Sequence, residues 1–165
     1  MDFEYCETKP IDLLNSDGHV HSIGRGAMSW DIWLQCFHEG EVAKFPSAIV
    51  HKAFQPFAVR EDRGDEEGEG HWRLFGTGSH TTMSMDDGPM VEGLAINRPA
   101  GPPEFWEALL GVMRQTSTVF YWPGEGAAVA DAAVIPHLPP ELVKGVGGVT
   151  VVSTIEELFD LMKKA

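Results

Sequence analysis

Seven histidines are the residues of this 165-residue chain that most readily suggest metal binding or proton transfer. His19 and His21 would share one face of a strand, a usable spacing for two zinc ligands. A third ligand would have to be Cys36, His38, His51 or a loop carboxylate, and none stands at a recognised metal-site spacing. Cys36 and His38 fall on a common strand face, as a nucleophile and its base would, but no third residue orients the pair. Cys36 therefore reads as packing. Gly76-Thr77-Gly78-Ser79-His80 is followed by strand-like residues where a phosphate loop needs a helix start, so it reads as a turn. Arg25, between two glycines, reads as neutralising acidic neighbours. No nucleophile elbow, kinase or deaminase signature is present, and the paired carboxylates Asp86-Asp87 and Glu156-Glu157 point apart on strands and helices. This pattern assigns no catalytic residue, no metal and no cofactor.

Charge is more informative. The chain holds 25 acidic and 12 basic side chains, a formal net charge of −13. Residues 1–97 carry 17 of the acids against 7 bases. Such a balance opposes binding to phosphate backbones and anionic lipid, so neither nucleic acid nor membrane is an expected partner. The densest acidic run is Glu61, Asp62, Asp65, Glu66, Glu67 and Glu69, interleaved with Arg63 and glycines. With nothing apolar to bury, residues 60–70 are expected to form a flexible loop. Asp2, Glu4 and Glu7 stand where a secretory signal needs a basic region, and two cysteines make no disulfide framework. The expected compartment is the cytoplasm.

These residues must be positioned by a single domain, given the length and the absence of repeats or long linkers. Residues 27–38 alternate with period two, placing Ile32, Leu34 and Cys36 on one face and Asp31, Trp33 and Phe37 on the other. Residues 47–54 suggest a short helix with Ser47 as N-cap, and Asp86-Asp87-Gly88 a hairpin between residues 81–85 and 90–96. In the back half, Pro102-Pro103 opens a helix with the stripe Phe105, Trp106, Leu109, Leu110, Met113. Residues 118–122 and 149–153 read as strands, 139–145 as a helix, and Thr154 with Glu157 as a capping box opening the last helix. The class is α+β: a mostly antiparallel sheet in the N-terminal half, helices and a β-α-β crossover in the C-terminal half, in two layers.

Tryptophan and phenylalanine beside a carboxylate on a sheet face suit a binding surface. Asp31, Trp33 and Phe37, with Glu61, Asp62, Asp65, Glu66, Glu67 and Glu69, are thus the candidate contacts for a basic protein partner. In size, charge and lack of a catalytic signature the chain resembles the small acidic immunity proteins with which bacteria neutralise toxins. That likeness rests on no family motif and transfers no residues; it implies a non-catalytic protein whose partner is a basic toxin. The alternative is a small enzyme or ligand-binding protein with a pocket lined by His19, His21, His71, His80 and Arg25.

Overall fold

The computed structural model describes residues 31–63, 69–74, 81–122 and 126–164, and for residues 59–63 and 69–74 the backbone alone. In chain order the strands are β1 (Asp31–His38), β2 (Glu41–Val42), β3 (Phe45–Pro46), β4 (Ala58–Arg63), β5 (Glu69–Leu74), β6 (Thr82–Asp86), β7 (Met90–Val91), β8 (Gly93–Asn97), β9 (Thr118–Trp122), β10 (Gly126–Val129) and β11 (Thr150–Val151). The α-helices are α1 (Ser47–Phe54), α2 (Pro103–Gln115), α3 (Pro140–Gly145) and α4 (Ile155–Met162), with 3-10 turns at Gln55–Phe57 and Ala132–His137. The main sheet runs β11-β10-β9-β1-β8-β6-β5-β4, with β2 paired to the end of β1, and β3 and β7 form a separate ladder. The fold is α+β.

Alternation along β1 decides the layers. Ile32, Leu34 and Cys36 face α1, α2 and α4 and are 0%, 1% and 5% exposed. Helix α2 buries Phe105, Trp106, Leu109, Leu110, Val112 and Met113, the i, i+3, i+4 stripe of a helix lying on a sheet. Phe54 of α1 meets Phe105 at a ring distance of 5.3 Å. Helix α4 opens with the expected capping box: Thr154 Oγ1 accepts from the Glu157 N–H, and the Glu157 carboxylate accepts from the Thr154 N–H.

The other face of β10-β9-β1 is covered as well. Phe37, Val119, Tyr121, Ala127 and Val129 pack with Val134, Leu138 and Val146 in a second core beneath the 132–137 turn and α3. The expected two layers are therefore three at this end. Double coverage explains why all of β9 is buried, a continuous apolar run with no alternation.

Several expectations shift. Residue 47 is the first residue of α1, not its cap; its hydroxyl instead donates to the Gly88 carbonyl at 2.6 Å, tying α1 to the turn after β6. The hairpin of β6 and β8 is joined by a longer connection, because β7 leaves it to pair with β3. The parallel neighbour of β11 is β10, with registers Ala128↔Thr150 and Val129↔Val151, and β10 itself forms an antiparallel hairpin with β9. Residues 60–63 lie in β4, the edge strand paired to β5, and residues 69–70 lie in β5, between β4 and β6. Residues 64–68 of the expected loop lie outside the described residues.

The acidic end of the sheet

Antiparallel pairing gathers residues that are far apart in the chain. β1 ends at His38, β6 ends at Asp86 and β4 ends at Arg63, while β8 begins at Gly93 and β5 at Glu69. The registers Gln35↔Gly93, Glu69↔Asp86 and Arg63↔Gly70 place all five termini at one end of the sheet. That end bears Glu39 and Glu41 at the β1–β2 turn, Asp86 and Asp87 after β6, and Glu69 at the start of β5, with Arg63 closing β4 beside it. Glu39, Glu41, Asp86 and Asp87 are all exposed.

Local rules account for each contribution. Glu39 and Gly40 both have positive φ, 53° and 84°, and connect the register pair His38↔Glu41 as a tight two-residue turn. The carboxylates therefore sit on fixed backbone at the sheet rim. Asp86 and Asp87 precede Gly88, whose φ of 151° turns the chain back and whose carbonyl is held by Ser47. Lys44 lies at the same end and pairs with Glu92 at 3.6 Å, with its own side chain 58% exposed. An exposed pair of this kind contributes on the order of 0–1 kcal/mol and offsets one carboxylate only.

The opposite end has a different character. A Cα row crosses five strands through Arg60, Arg73, Thr82, Asn97 and Asp31. Asn97, with its amide nitrogen turned to Asp31, donates to both carboxylate oxygens at 3.0 and 3.2 Å. Arg98, exposed and at φ 51°, follows immediately.

The anticipated contacts divide between these places. Asp31 is half-buried at the arginine-bearing end, away from the carboxylate-rich rim. Trp33 is half-buried in mid-strand, its indole stacked on the Tyr121 ring at 5.5 Å and 18°. Phe37 is 7% exposed and belongs to the second core, so it presents no surface. Glu61 and Asp62 lie on β4 opposite Trp72 and His71, and Glu69 lies on β5 opposite Asp86. Asp65, Glu66 and Glu67 lie outside the described residues, as do His19, His21, His80 and Arg25; His71 is placed by its backbone alone. Sequence reasoning missed Glu39, Glu41, Asp86 and Asp87 as members of one surface. Both turns were visible, but only the strand order reveals that they are neighbours.

Among the described residues no group of three or more histidine, cysteine, aspartate or glutamate side chains could hold a metal ion. Cys36 is buried, and that burial pushes its thiol up, away from thiolate reactivity. No helix among the described residues is long and apolar enough to cross a membrane.

No family model, curated protein or solved structure matches the chain. The geometry alone carries the functional reading.

Proposed function

We propose that the protein is a non-catalytic interaction module whose acidic sheet end docks a basic macromolecular partner. The reading rests on the convergence of three separate acidic segments at one rim through the register Glu69↔Asp86 and the tight turn at Glu39. Like charges held together on fixed backbone repel one another, and a cationic partner relieves that repulsion. Such a patch raises association rates by long-range attraction and suppresses acidic competitors. The role that suits this chemistry is of the immunity type, in which an acidic protein occludes the cationic surface of a toxin, and a nuclease with a phosphate-binding cleft would be a natural target.

The test uses the full chain as bait in a lysate of the source organism, beside a variant carrying Glu39→Gln, Glu41→Gln, Asp86→Asn and Asp87→Ser. The reading expects a basic protein, identified by mass spectrometry, that is retained by the wild type at low salt and lost with the variant. Retention of no basic protein, or equal retention by both baits, would refute it. An upstream reading frame encoding a toxin, and protection from that toxin on co-expression, would separate the immunity role from other basic partners.

A further inference from the structure

His38 and His137 are 99 positions apart in the sequence (137 − 38), yet their rings stack at 4.8 Å with an interplanar angle of 21°. His38 is the last residue of β1, and His137 the last of the 132–137 turn that covers the second core. Two further contacts join the same segments. The Glu39 N–H donates to Nδ1 of His137 at 3.3 Å, and the Gly40 N–H donates to the His137 carbonyl at 3.0 Å. All of these contacts converge on the β1–β2 turn, whose positive φ angles aim both amides at one residue.

From this geometry we infer that the histidine pair is an acid-sensitive clasp that fastens the 132–137 turn over the second core and releases it on protonation. As an acceptor, Nδ1 of His137 carries no proton, so the neutral ring bears its hydrogen on Nε2. Adding a proton at Nδ1 turns the acceptor into a donor facing the Glu39 N–H, and that hydrogen bond is lost. A second proton on His38 places two cations face to face at stacking distance.

The surrounding charges are few. The hairpin contributes His38, Glu39 and Glu41; Asp131 at the start of the 3-10 turn accepts from the Ala133 N–H at 2.9 Å; and α3 carries Glu141 and Lys144. β9 and β10 beneath the turn carry no charged side chain, and Tyr121 is held neutral by burial. Glu39 and Glu41 are exposed and their attraction for an imidazolium is screened, whereas the amide-to-Nδ1 contact is lost outright. Release would expose Phe37, Val134 and Leu138 without unfolding the larger core on the other face.

Hydrogen exchange of the Glu39 and Gly40 amides, corrected for intrinsic rates, tests the clasp between about pH 7.5 and pH 5. Wild-type protection at these amides should fall roughly tenfold at the lower pH, the change expected from one lost hydrogen bond of ordinary net strength. His137→Asn replaces Nδ1 by a carbonyl acceptor that does not titrate, and its protection should stay constant. His38→Phe keeps a stacked ring without charge and should retain only part of the wild-type change. Constant protection in the wild type, or an undiminished acid response in both variants, would overturn the inference.

Discussion

Substituting Gly126 by alanine is a severe test of how the β9–β10 hairpin is packed. Gly126 is the register partner of Trp122, and an added Cβ would overlap Cζ2 and Cε2 of the indole. Its φ is not positive, so the effect is steric and not conformational. Trp122 is 2% exposed and lies against Phe120 at 5.4 Å, which leaves the ring no free rotamer space nearby. Expelling the ring would return on the order of 200 Å² to water, about 5 kcal/mol at 25 cal/mol per Å². Shifting the strands apart instead costs about 1–3 kcal/mol, the usual range for overpacking. The cheaper route prevails, so Gly126→Ala should destabilise by about 3 kcal/mol and lower Tm by roughly 6–12 °C. Urea unfolding followed by far-UV circular dichroism gives the free energy, and a cycle with Trp122→Leu gives the cause. Against the smaller leucine the alanine should cost less than about 1 kcal/mol, a coupling of about 2 kcal/mol. A wild-type-background cost under about 0.5 kcal/mol, or strictly additive effects, would refute the packing argument.

Other consequences are equally direct. Phe37→Ala should cost about 3–5 kcal/mol in the same unfolding assay, because the ring fills the second core; a near-neutral result would mean it stands in solvent. Thr154→Ala removes the cap on the Glu157 N–H, 3.2 Å away, and should cost about 1 kcal/mol, read as a shift in urea midpoint at unchanged m-value. Burial pushes the Tyr121 phenol well above its ordinary value of 10.0, so above that pH the unfolded chain loses a proton the native state keeps, and stability falls as pH rises. Tyr121→Phe should abolish that component, up to about 1.4 kcal/mol per pH unit, while costing about 1 kcal/mol at neutral pH through the lost bond to Gln35 Oε1 at 3.1 Å. Equal alkaline sensitivity in the two proteins would contradict this account.

The parts of the fold legible in the sequence are those whose periodicity is set by one partner surface. The α2 stripe and the Thr154–Glu157 capping box lie where spacing places them, because each helix packs on one face only. β10 escaped notice because Gly126-Ala127-Ala128-Val129 carries little bulk, and it carries little bulk because the Trp122 indole and two covering layers leave no room for more. Phe37 looked available since its strand face is mixed, but the 132–137 turn and α3, neither strongly amphipathic, close over it. The acidic rim was legible only in pieces. Glu39-Gly40 and Asp86-Asp87-Gly88 announce turns, and the acidic run announces itself, yet their adjacency depends on β1-β8-β6-β5-β4 being the strand order. Long-range pairing of that kind leaves no local trace.

The central claim, that this rim docks a basic partner electrostatically, is tested most directly by association kinetics. The rate for the captured partner would be measured against wild type and against the Glu39→Gln, Glu41→Gln, Asp86→Asn, Asp87→Ser variant at low and at high salt. At low salt the wild type should associate roughly 10–100-fold faster than the variant, and at high salt, where screening reaches within about 3 Å, the two should converge. Equal rates at low salt, or a difference that persists undiminished at high salt, would contradict the account.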